Sequence, residues 1–308
     1  MKRAVRIGTR GSPLALAQAR WVQAAVEGLD SDLDCRLVII KTSGDRFVDR
    51  SLRAIGGKGL FVKEIEEALL ANQIDCAVHS MKDLPAELAT GLVIAAVPRR
   101  EDARDLLIAR EGSRLSELPS GARIGTSSLR RTAFVRRARA DVDLIEMRGN
   151  VDSRLRKLDA GEVDAIILAA AGLKRLGITR AQAHAFDPDE FVPAIGQGAL
   201  AIECRAGEDE RLLAGLDHAA THRATAAERA FLARVGGSCH TPLGAHASVV
   251  GDAIEMHAAI ASPDGKRLVR GTAAGSVNTA TEIGTDLATT LLDDGGAEIL
   301  RALEAAAT

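Results

Sequence analysis

Short apolar segments alternate with stretches of helical periodicity along the first two thirds of this chain. Residues 5–8 and 122–125 are predicted to form strands, and helical patterns occupy residues 59–70 and 152–159. This order favours α/β lobes with mainly parallel sheets, because parallel strands are joined by long crossovers that usually contain a helix.

An internal repeat supports this arrangement. RIGTRGSPLALAQA begins at Arg6 and RIGTSSLRRTAFVRRA begins at Arg123, while NQIDCAVHS around Asp75 matches GEVDAIILA around Asp164. In the first pair, each copy predicts a strand, a small polar turn and a helix. The repeat therefore predicts two α/β lobes of similar plan.

The two turns are also candidate anion sites. Ser12 is a natural N-cap followed by Pro13, and Thr126 to Ser128 supply the cap in the second copy. Backbone N–H groups at a helix N-terminus bind anions well, so each lobe has a predicted anion site. The alternative is that these turns only cap their helices.

Residues from 217 onward predict a small α+β domain. A helical pattern with Thr221 as its cap is followed by the strand-like segments AHASVV, AIEMHAAIA and RLVRGTAAG. SPDGK is a predicted hairpin turn between the last two, and a helix is predicted over 279–292.

Composition excludes several classes of function. A chain of 308 residues predicts two or three domains, and its net charge of −2 with six Phe, one Trp and no Tyr argues against nucleic-acid binding. The longest apolar run, 165–173, is too short to span a bilayer. The N-terminus lacks the apolar stretch of a secretory signal, and the four cysteines form no C-x-x-C pair. We therefore expect a cytoplasmic protein.

Arginine is concentrated in one region. The chain has 32 Arg and only 8 Lys, and residues 123–156 contain nine arginines against four acids. Arg130 and Arg131 lie in the first turn of a predicted helix, where cations oppose the helix dipole unless an anion compensates them. The alternative, a solvated basic face, suits Arg136, Arg137 and Arg139 better.

Two further segments are candidates for chemistry. In CAVHSMKDLP an apolar strand is predicted to end before His79, Lys82 and Asp83, and functional residues of α/β lobes gather at such strand ends. A solvated loop charge pair is the alternative for Lys82 and Asp83. Cys239 follows a helix end on a loop of small residues, where a thiol is accessible and can react.

Metal binding is not favoured by the sequence. Cys239, His240 and His246 lack a fourth ligand nearby, and His218 and His222 lack the Glu of a zinc-protease helix. We therefore predict no metal and take the last two histidines as surface residues. Residues 42–57 have little periodicity and are a candidate mobile cover over a site.

Taken together, the motifs resemble the porphobilinogen deaminase family. The matching segments are IGTRGSPLALAQA, GGKGLFVKEIE, AVHSMKDLP, IGTSSLRR, RGNVDSRLRKL, AGLKRLG, PAIGQGALAIE and AERAFLARVGGSC. They occur in the family's order and cover most of the chain. One departure is Gly236-Gly237-Ser238 before the thiol, where many members have an acidic residue followed by two glycines.

The resemblance implies a monomer of three domains: two lobes like those of periplasmic binding proteins, and a small C-terminal α+β domain. The implied boundaries are 1–99 with 194–216 for domain 1, 104–190 for domain 2 and 217–308 for domain 3. It also implies a transferase that joins four porphobilinogen units head to tail, releasing ammonia, to give hydroxymethylbilane for tetrapyrrole and heme biosynthesis.

The resemblance further implies a covalent dipyrromethane cofactor, held by a thioether at Cys239, and a catalytic Asp83 that stabilises the cationic azafulvene formed when ammonia leaves. Each pyrrole carries an acetate and a propionate, which explains the arginines. The implied cofactor-binding residues are Cys239, Lys82, Asp83, Thr126, Ser128, Arg130, Arg131, Arg148 and Gly149. The implied substrate-binding residues are Arg10, Ser12, Arg148, Arg154, Arg175 and Gln197.

A second hypothesis comes from another class of protein. A two-lobed binding protein for small carboxylates, without catalysis, would also explain the lobes and the arginines. It would not explain Cys239 or the third domain.

Overall fold

A computed structural model describes residues 3–46, 62–112, 114–236 and 241–306 of the chain. The chain forms two compact units, one of residues 1–101 with 198–222 and the other of residues 102–197 with 223–308. Within the described residues, no helix has the length and apolar character that a membrane span requires.

The strands and helices follow one another largely as the pattern predicts. The strands are β1 (Arg3–Thr9), β2 (Leu33–Ile39), β3 (Cys76–Ser80), β4 (Leu92–Ala96), β5 (Asp105–Ala109), β6 (Arg123–Gly125), β7 (Asp143–Ile145), β8 (Ala165–Ala169), β9 (Ala183–Ala185), β10 (Leu200–Arg205), β11 (Leu243–Val250), β12 (Ala253–Ala261) and β13 (Leu268–Ser276). The helices are α1 (Pro13–Glu27), α2 (Ser43–Arg46), α3 (Lys63–Leu70), α4 (Leu129–Ala138), α5 (Val151–Asp159), α6 (Ala170–Arg175), α7 (Glu208–Leu213), α8 (Ala219–Val235), α9 (Ala280–Leu291) and α10 (Ala297–Ala305).

Each unit contains a five-stranded sheet, and the two sheets have the same plan. The orders are β2-β1-β3-β10-β4 in the first unit and β7-β6-β8-β5-β9 in the second. In each, three neighbouring strands are parallel and the fourth is antiparallel to both of its neighbours. The expectation of mainly parallel sheets is thus met only in part, because β10 lies antiparallel between β3 and β4, and β5 lies antiparallel between β8 and β9.

The internal repeat has a structural counterpart in the paired strands. β1 and β3 occupy the places in the first sheet that β6 and β8 occupy in the second. Ser12 Oγ caps α1 by accepting the Ala15 N–H at 3.3 Å, and Ser128 Oγ caps α4 by accepting the Arg131 N–H at 3.4 Å. Both predicted caps are confirmed.

The same ion pair fixes the start of the strand in both copies. The Arg6 backbone N–H and its guanidinium both donate to the Asp75 carboxylate, and Arg123 and Asp164 repeat this arrangement. The Asp75 N–H in turn donates to the Arg6 carbonyl at 2.8 Å. A side-chain clamp therefore sets the register of the central parallel pair in each lobe.

The C-terminal region is an antiparallel sheet, β11-β12-β13, with α9 packed on it. The predicted hairpin turn is confirmed: Gly265 has φ +74°, and a Cβ there would lie 2.7 Å from the Ala133 carbonyl of α4. The predicted cap of α8 is wrong. That helix begins at Ala219, and Thr221 is a buried residue inside it whose Oγ1 accepts the Arg100 N–H.

The three implied domain boundaries stay a prediction. The compact second unit contains both the second lobe and the C-terminal region. Of the suspected cover, only residues 42–46 are described, and residues 47–57 lie outside the described residues.

Candidate active site

The arginine pair of the second lobe surrounds one buried carboxylate. Arg130 and Arg131 lie in the first turn of α4, and both are buried, as is Asp105 at the start of β5. Arg130 Nη2 lies 2.7 Å from Asp105 Oδ2, and Arg131 Nη2 and Nε lie 2.7 and 3.0 Å from Oδ1. The anion that the sequence requires at this helix end is therefore supplied, at least in part, by the chain itself.

Charge, rather than burial, determines the ionisation of Asp105. Burial alone would raise its pKa, but the charges of Arg130 and Arg131 outweigh that effect and hold the pKa at about 2. Sequence analysis missed Asp105, because it is one of several acids in EDARDLL and nothing local distinguishes it. The only local signal is an acid that opens an otherwise apolar strand.

The cluster is extended by the loop after residue 191. Gln197 Nε2 donates to Asp105 Oδ1 at 3.1 Å and to the Ala103 carbonyl at 2.7 Å. Arg130 Nη1 donates to the Val192 carbonyl, while Arg130 Nε is buried without a hydrogen-bond partner among the described residues. One donor of the arginine pair is thus unsatisfied among the described residues, and Gln197, a predicted substrate-binding residue, contacts the same carboxylate.

Thr126 and Ser128 lie in the turn between β6 and α4. Thr126 is buried, and its Oγ1 accepts the Ser128 N–H at 3.2 Å. Because Ser128 Oγ also accepts the Arg131 N–H, hydrogen bonds hold this polar turn beside the arginine pair.

A second group of cations follows β7. Arg148 Nη2 pairs with Glu146, an exposed acid, at 2.6 Å. Arg154 Nε donates to the Gly149 carbonyl at 2.8 Å, and Gly149 has φ +110° with Ser153 close to where a Cβ would lie. Glycine therefore allows the tight turn that brings this carbonyl to Arg154.

Arg154 is the least compensated of these charges. Burial, with a smaller effect of the charges of Arg131 and Arg148, lowers its pKa to about 10, and no acid opposes this among the described residues. Among the described residues, no carboxylate pairs with Arg154. Several cations held together in this way form a site that a multiply charged anion would complete.

Most of the predicted residues of the second lobe thus lie at one edge of its sheet. The turn of Thr126 and Ser128 follows β6, Arg148 and Gly149 follow β7, and Arg175 ends α6, which follows β8 directly. Since β6, β7 and β8 are parallel neighbours, their carboxyl ends meet at this edge.

The first lobe repeats the arrangement with fewer charges. Arg10 and Ser12 follow β1, and Lys82 and Asp83 lie in a 3₁₀ turn, Met81–Asp83, directly after β3. Because β1 and β3 are parallel neighbours, these four residues also share one sheet edge. Asp83 is exposed and Lys82 half-buried, as a group that meets a ligand requires.

One expectation for the segment CAVHSMKDLP is wrong. His79 does not follow the strand but lies inside β3, where it is buried against Glu203 of β10. The apolar run is longer than its sequence indicates, because a buried partner acid allows a histidine in the sheet core.

The predicted attachment residue, Cys239, lies outside the described residues, as does His240 of the rejected metal site. The chain's other cysteines are buried in the first unit. Burial raises the pKa of Cys35 to about 11 and that of Cys204 to about 12, and it raises the pKa of Cys76 further. These three thiols are poor nucleophiles near neutral pH.

The described histidines do not form a metal site. Within the described residues, no cluster of His, Cys, Asp and Glu could hold a metal ion. His222 pairs with Asp217 at 2.8 Å, and His218 contacts Thr221 near the start of α8. Both side chains are partly exposed, which agrees with their description as surface residues.

This geometry defines a class of protein. It has two α/β lobes with cations at the carboxyl edges of their sheets, and these cations suit a ligand with several carboxylates. Family models agree with it. Residues 5–213 match "Porphobilinogen deaminase, dipyromethane cofactor binding domain", and residues 222–293 match "Porphobilinogen deaminase, C-terminal domain".

Curated relatives match over nearly the whole length. A porphobilinogen deaminase of Syntrophobacter fumaroxidans is 50% identical over 300 residues, 97% of this chain and 97% of that protein. One from Roseiflexus sp. (strain RS-1) is 51% identical over 302 residues, 97% of this chain and 99% of the other. Among solved structures, the methionine-binding protein MetQ has a TM-score of 0.44 at 13% identity, covering 69% of this chain and 89% of its own.

The chain belongs to the porphobilinogen deaminase family. It is a transferase of tetrapyrrole biosynthesis with a dipyrromethane cofactor, and porphobilinogen is the family's substrate. These matches favour the enzyme over the non-catalytic binding protein, which has no support from the family models or the curated relatives.

Asp105→Asn should destabilise the protein by about 3–5 kcal/mol at pH 7, because it leaves two buried arginines without a counter-charge. The folded pKa lies below the unfolded value, so the contribution of the wild-type carboxylate is full above about pH 4 and is lost as the pH falls through about 2. Urea unfolding at pH 7 and pH 3 measures both effects.

The matched control is Asp141→Asn. Asp141 also pairs with an arginine, Arg139, but its carboxylate is exposed, so little change is expected. An Asp105→Asn protein as stable as wild type at pH 7 would show that Asp105 does not compensate the pair.

Proposed function

We propose that the cations at the two sheet edges bind the acetate and propionate groups of dipyrromethane and of the porphobilinogen units. The observation that carries this proposal is Arg154, a half-buried cation whose neighbouring charges are other arginines. Arg130 Nε, a buried donor without a partner among the described residues, supports it. Guanidinium groups suit carboxylates because they can donate two parallel hydrogen bonds.

The residues fit dipyrromethane by charge and by number of donors. Arg131, Arg148 and Arg154, with Thr126 and Ser128 beside them, would hold its carboxylates. When bound, it supplies the free pyrrole carbon to which the first porphobilinogen is joined. In the first lobe, Arg10, Ser12 and Lys82 provide the corresponding donors.

Asp83 is the proposed catalytic group. Loss of ammonia from porphobilinogen leaves positive charge near the pyrrole nitrogen, and a carboxylate held beside that nitrogen stabilises this charge. The same carboxylate can accept and return a proton during coupling. Its place supports the role, because Asp83 is exposed, at the carboxyl edge of the sheet, on a short turn fixed by β3.

Cys239 is the proposed attachment residue. Support comes from the other three thiols, which are buried and have raised pKa values. Their free state also suits a reducing compartment, so we place the enzyme in the cytoplasm. From the family resemblance we further propose that it acts as a monomer without nucleic-acid or membrane partners.

Attachment is tested by intact mass. The wild-type protein should exceed its sequence mass by two joined pyrrole units and give a colour with acidic aldehyde reagent. Cys239→Ala should have its sequence mass, while the control Cys35→Ala, which removes a buried thiol, should keep the addition. The assignment fails if Cys239→Ala retains the added mass or if Cys35→Ala loses it.

Catalysis is tested by Asp83→Asn, which keeps the size of the side chain but removes its charge. Single-turnover formation of the first enzyme-bound adduct should slow about 10²–10³-fold, the usual loss when one preorganised electrostatic group is removed. Only cofactor-loaded enzyme, quantified by mass, is compared. Glu87→Gln, an exposed acid on the same segment, is the control. A rate within about threefold of wild type, far short of that loss, would exclude Asp83 from catalysis.

A further inference from the structure

A buried histidine–glutamate pair lies in the first sheet, apart from the residues assigned above. His79 Nε2 of β3 and Glu203 Oε2 of β10 are 3.0 Å apart, and the two side chains are 4% and 0% exposed. His79 lies opposite Ala201 and Ala77 opposite Glu203, so the pair bridges the two strands diagonally on one face of the sheet.

Burying this pair in the core costs free energy of folding. Neither carboxylate oxygen of Glu203 nor Nε2 of His79 has a well-directed hydrogen bond among the described residues. Buried polar groups without hydrogen bonds cost free energy whether they are charged or neutral, and apolar side chains of similar volume often serve stability equally well or better. Stability therefore does not account for the pair.

A neighbouring acid increases the free-energy cost of burying this pair. A second acid, Glu66 of α3, lies near enough that the charge of Glu203 raises the pKa of Glu66 and that of His79 lowers it, in addition to the larger effect of burial. Glu66 Oε1 accepts the Ala89 N–H at 3.2 Å, so this acid is used to hold a loop. Glu203 has no comparable backbone contact, and its described partner is His79.

The position of the pair indicates its use. His79 precedes Asp83 by four residues, and the strand between them is held at several points: the Met81 N–H donates to the Ala199 carbonyl at 3.0 Å, and Gln18 Nε2 of α1 donates to Ser80 Oγ at 3.0 Å. The His79–Glu203 contact lies on the face of the strand that Gln18 does not reach.

We propose that His79 and Glu203 are a positioning pair that holds the end of β3 against β10, so that the Met81–Asp83 turn presents Asp83 in one place. The proposal rests on the catalytic role of Asp83 given above. A close polar contact between two buried side chains has a preferred distance, whereas apolar packing allows the strand to shift. A shift of about 1 Å at a reacting group can lower a rate by about 10²-fold.

The test separates positioning from stability by replacing both partners together. His79→Leu/Glu203→Met leaves no unpaired charge, so this double variant should fold with an unfolding free energy at or above that of wild type. Its single-turnover rate of first addition, in cofactor-loaded enzyme, should nevertheless fall by about 10- to 100-fold, with KM for porphobilinogen within about twofold of wild type.

Two further variants test whether a lower rate comes specifically from loss of the contact between His79 and Glu203. His79→Gln/Glu203→Gln replaces the pair with two amides that can hydrogen-bond to each other, and this variant should recover much of the rate. Val78→Ala removes a buried side chain from the opposite face of the same strand and should lower stability while leaving the rate within about threefold of wild type.

An apolar double variant that reacts at the wild-type rate would overturn the proposal, as would one that is markedly less stable, since the pair would then be structural. Asp83→Asn, assayed in the same experiment, distinguishes failure of the positioning role from failure of the catalytic role of Asp83. If Asp83→Asn is slow while the apolar double variant is fast, only the positioning role fails. If Asp83→Asn is itself fast, the catalytic assignment fails.

Discussion

The contact between Asp105 and the two arginines of α4 is the interaction on which the second lobe depends. Two guanidinium groups could not be buried in the first turn of a helix without a counter-charge, because both desolvation and the helix dipole oppose them. Asp105 provides that charge from β5, the strand inserted antiparallel into the sheet, and Gln197 joins from the loop that leads out of the second unit. One carboxylate thus connects helix, sheet and loop at the site.

The compensation is incomplete, and this supports the proposal that the region binds a ligand. One buried acid faces two buried arginines, and Arg154 lies nearby without an acid of its own among the described residues. Stability alone would favour fewer cations here. The excess charge is consistent with a ligand that brings several carboxylates, which dipyrromethane and the growing pyrrole chain do.

Sequence patterns predicted the local structure well and the long-range contacts poorly. The two strand–turn–helix units, their Ser12 and Ser128 caps and the C-terminal hairpin depend on neighbours in the chain, so periodicity and cap residues revealed them. The insertion of β5 and β10, the neutralisation of Arg131 by Asp105 and the burial of His79 against Glu203 depend on residues 26 to 124 positions apart. No local pattern distinguishes those acids from exposed ones. The family resemblance supplied most of the site residues.

The most direct measurement of the central claim, that these cations serve a ligand rather than the fold, compares Cys239→Ala with Cys239→Ala/Arg154→Met. Both proteins should lack cofactor, so their unfolding free energies report the cost of the cation alone. Burial beside other arginines lowers the pKa of Arg154, which means that the native state disfavours the charge, so Arg154→Met should raise the unfolding free energy. With Cys239 intact, Arg154→Met should instead load less dipyrromethane. Lower stability together with full loading would contradict the account.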